Sequence, residues 1–221
     1  MPAGYHPPLE EYLEAIHELE EEGAQIIQAR LAERVGHSAP AVSETIRRLK
    51  AEGYVTVEDR AVQLTEKGRA RAESVVRKHR LAELLLTEII GLPWHKAHLE
   101  ACRWEHVISD EVEARLVELL GHPTTCPHGN PIPGAGAPLL SELVALSSLR
   151  GGEQVRLERI TEQVEIDQEA LAYLSAAGFI PGVGATVAAR GPDGTLTLDL
   201  GERTIALGPA LSKQLYVTVP S

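Results

Sequence analysis

The feature that most restricts the fold of this chain is the order of helix, turn and strand signals in its first 64 residues. Apolar spacing and turn residues predict three helices followed by two short strands: 8–22, 27–35 and 39–51 for the helices, 54–57 and 61–64 for the strands. Gly36 and Ser38 mark a tight turn, in which Ser38 can cap the third helix and Pro40 suits its first turn. This order is typical of a winged helix-turn-helix.

A winged helix predicts a nucleic-acid function, with the third helix in the major groove of DNA. Val42, Ile46 and Leu49 form the inner face of this helix, so the side chains between them face outward. The hairpin is expected beside the phosphates. The predicted DNA-contacting residues are Ala29, Arg30, Ser38, Pro40, Ala41, Ser43, Glu44, Arg47, Arg48, Lys50 and Arg60. A small helical hairpin with no role in DNA binding is the alternative.

The distribution of charge favours the DNA-binding interpretation. The chain of 221 residues has a formal net charge of −11, which taken alone argues against a nucleic-acid-binding protein. The stretch from Arg30 to Arg80 nevertheless carries 12 basic and 7 acidic side chains and is net positive. A basic segment in an acidic chain is a candidate contact for phosphate, although a solvated basic face would give the same count.

Beyond the hairpin, the sequence predicts a helical middle region and a β-rich end. Helical patterns cover residues 65–90 and about 94–120, and the Pro- and Gly-rich segment 126–138 is typical of a linker. Five short strands with tight turns favour a small SH3-like β-barrel. The predicted fold class is mainly α with a small β domain, divided into a DNA-binding domain, a helical domain, a linker and an SH3-like domain: 1–73, 74–126, 127–149 and 150–221.

Composition excludes several other classes of protein. No long uncharged apolar run is present, so we expect no transmembrane helix and no membrane partner. The first 15 residues lack the basic and apolar regions of a secretory signal. Two cysteines, Cys102 and Cys126, do not make a disulfide framework. We therefore expect a cytoplasmic protein whose thiols stay reduced.

The segment HLEACRWEH, residues 98–106, carries the strongest chemical signal. It places four potential metal ligands on one side of a helix, at i, i+4, i+7 and i+8: His98, Cys102, Glu105 and His106. Two earlier helices offer pairs at similar spacing: His79 with Glu83, and Glu11 with Glu14. Any one of these alone is more often a core histidine or a solvated glutamate. Imidazole, thiolate and carboxylate together favour a transition metal over Ca²⁺ or Mg²⁺.

The chain resembles the diphtheria toxin repressor family of iron- and manganese-dependent regulators along its whole length. The motifs that carry the likeness, in family order, are YLEAIHELEEEG near the start, RKHRLAE (77–83), ACRWEHVISDEVE (101–113), GNPIPG (129–134) and VEIDQ (164–168). The resemblance implies an N-terminal winged helix, a helical dimerisation region and a C-terminal SH3-like (FeoA-like) domain. It also implies a homodimer whose two metal sites per subunit control its affinity for a palindromic DNA operator.

Carried over by position, the resemblance also implies the ligands of both metal sites. The primary, activating site would use Glu11, Cys102, Glu105 and His106. The ancillary site would use three residues of the helical region and two of VEIDQ: His79, Glu83, His98, Glu165 and Gln168. Without the family, Glu165 and Gln168 would be interpreted as polar surface residues at the start of a helix.

Two departures from the family bear on the identity of the metal. The iron-regulated branch has Met where this chain has Glu11, and the manganese branch has Glu where this chain has Cys102. A carboxylate suits Mn²⁺ and a thiolate suits Fe²⁺ or softer ions, so the expected co-repressor is Mn²⁺ or Fe²⁺, with Mn²⁺ favoured. Zn²⁺, Co²⁺ and Cd²⁺ are expected to bind in vitro. Glu14 either joins this site or is solvated, and we favour the solvated position.

Two other features are interpreted from single positions. Glu44 stands where relatives have Gln, and a glutamate can accept a hydrogen bond from cytosine but cannot pair with adenine as Gln does, so the operator is expected to differ. Cys126 and His128 are interpreted as linker residues because no further ligand flanks them in the sequence.

These observations predict a repressor in which metal fixes the two recognition helices of a dimer about one turn of DNA apart, roughly 34 Å. Apolar candidates for dimer burial are Leu84, Leu85, Ile89, Ile90 and Trp104. A metalloenzyme is the competing class, because an open coordination position can activate water, but the sequence has no HExxH, nucleophile elbow or P-loop. A third possibility is a winged-helix regulator that works without metal and has a degenerate metal site.

Overall fold

The computed structural model describes residues 8–136 and 143–220, which fall into two compact units. The first unit comprises Met1–Ala82 and Glu100–His122, and the second comprises Glu83–Leu99 and Pro123–Ser221. The chain therefore leaves and re-enters the first unit once before it completes the second.

The first unit begins with the expected winged helix-turn-helix. Its elements are α1 (Pro8–Glu21), α2 (Gln28–Val35), α3 (Ala39–Ala51), β1 (Val55–Glu58) and β2 (Ala61–Leu64). Gly36 adopts a left-handed conformation (φ 68°) that ends α2, and the Ser38 side chain accepts a hydrogen bond from the Ala41 amide to cap α3. Val42, Ile46 and Leu49 are buried, as the helical spacing predicts.

The hairpin that forms the wing has a two-residue turn. Strands β1 and β2 pair antiparallel with Glu58 opposite Ala61, so only Asp59 and Arg60 connect them. Both turn residues have positive φ, at 46° and 71°. This is the backbone sign of a type I′ turn, which follows the right-handed twist of the strands but is unfavourable for a side chain such as that of Arg60.

The helical region follows the wing. Helix α4 (Glu66–Leu84) continues into a π-helical turn (Leu85–Ile89), and a short 3₁₀ turn (Trp94–Lys96) leads into α5 (Ala97–Trp104). Ser109 caps α6 (Asp110–Leu119) by accepting a hydrogen bond from the Val112 amide. The predicted helix over 65–90 therefore changes its hydrogen bonding near its end, and the predicted stretch 94–120 breaks at Ser109.

The second unit is built on a six-stranded antiparallel sheet. Its elements are β3 (Val144–Ala145), β4 (Gln154–Ile160), α7 (Glu162–Ile166), α8 (Gln168–Ala177), β5 (Gly184–Arg190), β6 (Leu196–Asp199), β7 (Thr204–Leu207), α9 (Pro209–Ser212) and β8 (Leu215–Thr218). The strand order is β3-β8-β4-β5-β6-β7, so β8 lies between β3 and β4. Leu157, Leu171, Phe179 and Val187 are fully buried in its core. All five predicted strands are present.

The Pro- and Gly-rich segment after residue 122 is packed over much of its length. Ile132 is 3% exposed, and Thr125 and Pro131 form an isolated antiparallel bridge. Gly129 has a positive φ of 86°, and a Cβ at this position would overlap the carbonyl oxygen of Glu158. Residues 137–142 of the predicted linker, 127–149, lie outside the described residues. No helix within the described ranges combines the length and the apolar character needed to cross a membrane.

Candidate metal centres and DNA interface

A buried group of metal-ligand side chains lies in the first unit, where α1, α4 and the end of α5 supply its members. His79 Nδ1 lies 2.5 Å from Glu105 Oε2, and Glu105 Oε1 lies 3.0 Å from His106 Nε2. His106 Nδ1 is in turn 2.7 Å from Glu10 Oε2. We call this group centre A; it consists of Glu10, Glu14, His79, Cys102, Glu105 and His106.

Two further members of centre A are defined by their distance from His79. Ligand atoms of Glu14, His79 and Glu105 all lie within 4.8 Å of one another, and so do those of His79 and Cys102. Two imidazoles, three carboxylates and a thiol therefore face a small volume, and this mixture of N, O and S donors fits a first-row transition metal.

The protonation of centre A shows how strongly its charges interact. Burial disfavours the charged form of His106, but hydrogen bonds to Glu10 and Glu105 outweigh it and raise the pKa of His106 to about 9. Burial acts against the Glu105 carboxylate, yet hydrogen bonds from His106 and His79 lower its pKa. Burial, with Glu105 and Glu18 nearby, raises the pKa of Glu14 well above the usual range. A bound cation would compensate these carboxylates.

The structure brings Glu10 and Glu14, rather than Glu11, into contact with the rest of centre A. Residues four apart share one face of a helix, so Glu10 and Glu14 both face this group while Glu11 is turned about 100° away from Glu10. Glu11 is half-buried. The preference for a solvated Glu14 does not fit its place in the group, whereas the assignment of Glu11 as a ligand stays a prediction.

A second group of potential ligands is buried in the second unit. The imidazole of His128 lies between two carboxylates, with Nδ1 3.0 Å from Glu83 Oε1 and 2.9 Å from Glu165 Oε2. His98 Nδ1 lies 3.7 Å and 3.4 Å from the same two oxygens. Ligand atoms of Glu83, Cys126 and His128 lie within 4.8 Å of one another. We call Glu83, His98, Cys126, His128 and Glu165 centre B.

The environment of centre B favours an added positive charge. Burial opposes the charged form of His128, but Glu165 and Glu83 more than offset this and raise the pKa of the imidazole. Burial and the nearby carboxylate of Glu83 raise the pKa of the Cys126 thiol to about 12. The thiol is therefore protonated in this state, and a metal ion would have to displace its proton to coordinate the sulfur.

Two of the centre B residues correct an interpretation made from the sequence. Cys126 is 5% exposed and His128 is fully buried, so they are not solvated linker residues. The His128 ring packs against Trp94 at 4.7 Å between centroids, and the Trp94 indole donates a hydrogen bond to the Pro127 carbonyl. Gly129 permits the turn that points them inward. No flanking ligand signalled this site because Glu83 and Glu165 are distant in sequence.

The structure brings some of the predicted ancillary ligands into centre B and leaves Gln168 beside it. Glu83, His98 and Glu165 come together in centre B, as the resemblance implies. Gln168 is half-buried, and its side-chain amide donates to the Glu165 carbonyl at 3.2 Å. Asn130 contacts the Glu165 carboxylate and donates to the Ile160 carbonyl, so it positions this ligand. Asn130 lies in the GNPIPG motif and was missed as a supporting residue.

The predicted DNA-contacting residues lie on an open face of the winged helix. All of them are exposed except Ser43, which is half-buried. Glu44 and Arg47 form an ion pair of 2.6 Å with about 70% of each side chain exposed. Arg48 pairs with Glu52 at 2.9 Å and is 62% exposed. Such exposed pairs contribute little to stability, so these side chains are available to another molecule.

The positive charge of the segment from Arg30 to Arg80 is only partly a surface property. Eight of its twelve basic residues form ion pairs with acidic residues of the first unit; besides the exposed Arg47 and Arg48, these are Arg34, Arg69, Arg71, Arg77, Lys78 and Arg80. The exposed basic residues on α2, α3 and the wing are Arg30, Arg47, Arg48, Lys50 and Arg60. The count of charges therefore overstated the basic surface, whereas the location of the exposed cations agrees with the predicted interface.

Comparison with known proteins agrees with this arrangement. Residues 6–61 match the family model for the iron-dependent repressor N-terminal DNA-binding domain, and residues 65–134 match that for its metal-binding and dimerisation domain. The chain is 47% identical over 201 residues to the iron-dependent repressor IdeR of Mycobacterium tuberculosis, covering 86% of each protein. The chain belongs to the iron-dependent repressor family.

Further similarities extend this relationship to the whole chain. This chain is 51% identical over 179 residues to the diphtheria toxin repressor of Corynebacterium efficiens, and the match covers 77% of this chain and 78% of that protein. A solved manganese-dependent transcriptional repressor in complex with manganese has a TM-score of 0.84 at 32% identity, covering 96% and 100% of the two chains. Residues 144–219 match the FeoA domain.

Membership of the family resolves the alternatives left open by the sequence. The repressor is a metal-dependent DNA-binding transcriptional regulator and not an enzyme, so the competing metalloenzyme and metal-independent regulator hypotheses are wrong. The predicted family, fold class and function are confirmed. The family model also includes dimerisation, which supports a homodimer.

Proposed function

We propose that the repressor acts in the cytoplasm as a homodimer that binds a palindromic operator when Mn²⁺ or Fe²⁺ occupies centres A and B. The observation that carries this proposal is centre A, in which α1 of the winged helix meets α4 and the segment after α5. Any change in the charge of this group acts on the first helix of the DNA-binding element. The relatives named for iron and manganese support these two ions as co-repressors.

The residues of centre A fit a divalent cation. Glu105 and His106 are in contact and would supply two of the ligands. Ligand atoms of Glu14 and His79 lie within 4.8 Å of those of Glu105, and the half-exposed Cys102 lies equally near His79. A bound cation supplies positive charge that allows the carboxylates to be ionised together. We include Glu11 as the α1 ligand implied by the family, with Glu10 as the carboxylate that is hydrogen-bonded to His106.

The chain's own cationic groups surround the carboxylates of centre A. Arg71 and His106 both contact Glu10, and His79 and His106 both contact Glu105. Metal binding requires neutral imidazoles and ionised carboxylates, so His106 must lose a proton that its two carboxylate neighbours retain up to a pKa of about 9. Release of this proton makes binding to centre A more favourable as the pH rises.

Centre B holds the second ion in this proposal, and its ligands extend the family set. Glu83, His98 and Glu165 are joined by Cys126 and His128, and His79 and Gln168 stay predicted ligands from the resemblance. Five donors converge here, two imidazoles, two carboxylates and a thiol. Their low exposure limits access of water, which strengthens the electrostatic interaction with a cation.

The dimer contact is proposed for the helical region, where apolar side chains stay exposed in the single chain. Ile89 and Ile90 are 57% and 55% exposed, whereas Leu84 is buried within its own unit. The first two therefore remain candidates for burial by the partner subunit, and Leu84 does not. Two copies are needed because one short recognition helix reads too few base pairs for specific binding in a genome.

Metal-dependent selection of DNA tests this function. Duplexes of random sequence are enriched on the wild-type repressor with Mn²⁺, with anaerobic Fe²⁺ and with chelator, and the affinity for the recovered site is then measured by fluorescence anisotropy. We expect a palindrome that is enriched only with metal. Glu105→Gln is expected to abolish the response to metal while preserving the fold, because Gln keeps the volume but loses the charged ligand.

The matched control for this variant is Glu100→Gln on α5, the helix that directly precedes Glu105. Glu100 accepts hydrogen bonds from Arg103 and Trp104 on α5 and is not part of centre A. Its replacement should leave the metal response unchanged. No enriched sequence under any condition would refute DNA recognition, and a normal response of Glu105→Gln would refute the role of centre A.

A further inference from the structure

We propose that Tyr12 transmits the state of centre A to the recognition helix α3 through its hydroxyl group. This inference rests on the proposed function, in which metal at centre A controls DNA affinity. Tyr12 follows Glu11 and lies between Glu10 and Glu14 on α1. A movement of α1 that repositions any of these carboxylates therefore moves the Tyr12 side chain as well.

The Tyr12 hydroxyl contacts the turn before the recognition helix and lies near the body of that helix. Tyr12 is 1% exposed in the core of the winged helix. Its hydroxyl is hydrogen-bonded to His37 Nδ1 at 2.9 Å, and the Thr45 side chain lies near enough to this hydroxyl to act on its pKa. His37 lies in the turn before α3, and Thr45 lies in the second turn of α3. One polar group on α1 thus binds the turn that leads into α3 and lies near the body of that helix.

The contact continues toward the end of α3 that is expected to meet DNA. The Thr45 hydroxyl donates to the Ala41 carbonyl at 3.1 Å. The Ala41 amide in turn donates to the capping side chain of Ser38. The hydroxyl of Thr45, beside Tyr12, is therefore connected by hydrogen bonds to the capped N-terminus of the recognition helix.

Packing alone would not require a tyrosine at this position. A phenylalanine would fill the same apolar volume, so the hydroxyl contributes its hydrogen bonds and nothing else to the core. A buried phenol without a partner would be costly, and here its partner, His37, lies in the turn before the helix that reads DNA.

This arrangement assigns Tyr12 as a positioning residue for the response to metal. The apolar contacts between α1 and α3 hold the core together both with and without metal at centre A, because such contacts have no preferred direction. Hydrogen bonds depend on distance and angle, so the Tyr12 contact can favour one orientation of α3 over another. We therefore expect this hydrogen bond to contribute to the difference in DNA affinity between the metal-bound and the metal-free repressor, and to add little to the free energy of unfolding.

The test compares Tyr12→Phe with the wild-type repressor, using the duplex recovered by the wild type. Three quantities are measured: DNA affinity with Mn²⁺, DNA affinity with chelator, and Mn²⁺ affinity in the absence of DNA by calorimetry. We expect the ratio of the two DNA affinities to fall about fivefold, the effect of one hydrogen bond, while Mn²⁺ affinity and metal-free DNA affinity stay unchanged.

Two further variants keep the inference falsifiable. Thr45→Val removes the hydroxyl that lies beside Tyr12 at similar volume, and the double variant should lose no more than the larger single effect, because both substitutions act on one group of polar side chains. Tyr54→Phe, at the start of the wing, is the matched control and should keep the full response. Tyr54 packs against the same core, where its ring lies under the Lys67 ammonium.

The outcomes separate the inference from the function on which it rests. An unchanged metal response in Tyr12→Phe, or an equal loss of DNA affinity with and without Mn²⁺, would overturn the role of Tyr12 while leaving metal-dependent repression intact. A wild-type repressor whose DNA affinity does not respond to metal would contradict the proposed function itself, and the inference would fall with it.

Discussion

Replacing Glu21 by Gln removes the carboxylate that compensates a buried arginine in the first unit. Arg80 is 2% exposed, and its guanidinium donates to both carboxylate oxygens of Glu21, at 2.9 and 2.7 Å. His17 lies 3.3 Å from the same carboxylate. This pair joins α1 to α4, so its loss should weaken the unit that carries centre A and the winged helix.

The magnitude follows from the pKa of Glu21. Burial acts to raise this pKa, but Arg80 and His17 outweigh it and lower the pKa from 4.5 to about 2. Each unit of pKa corresponds to about 1.4 kcal/mol, so the ionised carboxylate stabilises the folded unit by about 3 kcal/mol at neutral pH. A lowered pKa means that this contribution is complete above pH 4.5 and is lost as the pH falls toward 2.

Urea unfolding at pH 7 and pH 3 measures this difference. The chain has two tryptophans, and in a Trp94→Phe background the fluorescence of Trp104 reports the first unit. Glu21→Gln should lower the free energy of unfolding by about 3 kcal/mol at pH 7 and by roughly half as much at pH 3. Glu52→Gln, which breaks an exposed pair with Arg48, should cost about 0.5 kcal/mol or less. A loss below about 1 kcal/mol at pH 7, or one that persists undiminished at pH 3, would refute the reasoning.

Three other substitutions give separate expectations. Arg60→Gly relieves a positive φ of 71°, so it should stabilise the wing by about 1 kcal/mol in thermal unfolding while weakening DNA binding. A variant that is more stable and binds DNA as tightly as the wild type, or more tightly, would contradict the assignment of Arg60 to the DNA interface. Gly129→Ala should destabilise the second unit by more than about 3 kcal/mol in Trp94 fluorescence, because its Cβ meets the Glu158 backbone; a wild-type unfolding curve would contradict that clash. Cys126→Ser should remove one of two thiolate-to-Co²⁺ absorption bands and Cys102→Ser the other, whereas an unchanged spectrum of Cys126→Ser would exclude its sulfur from centre B.

Local signals made the first unit largely predictable from the sequence. The turn between α2 and α3 needs a residue that accepts positive φ and a capping oxygen, and Gly36 and Ser38 provide both next to each other. The hairpin and the strands of the second unit follow from short apolar runs between turn residues. Strand β3 was missed because two residues are too few to show an alternation, and it exists through its pairing with β8.

The candidate metal centres were less predictable because they depend on tertiary contacts. The sequence grouped Glu105 with His106, and these side chains are in contact although both lie just beyond the end of α5. It named Glu11 on α1, whereas the structure brings its neighbour Glu10 to His106. Cys126 and His128 lie in an irregular segment, and their carboxylate partners are far away in sequence. The charge count likewise could not show which cations are neutralised inside the first unit.

The strand order of the second unit has a consequence for synthesis of the chain. Strand β8 lies between β3 and β4, although it is synthesised after the other strands of this sheet. The first unit is complete once residue 122 has emerged, so it can fold while translation continues. The second unit must wait with β3 and one edge of β4 unpaired until residues 215–218 arrive. A messenger RNA that ends before the codons for residues 215–218 would yield a chain with a complete first unit and an unpaired sheet edge in the second. Proteases and chaperones readily recognise such a chain.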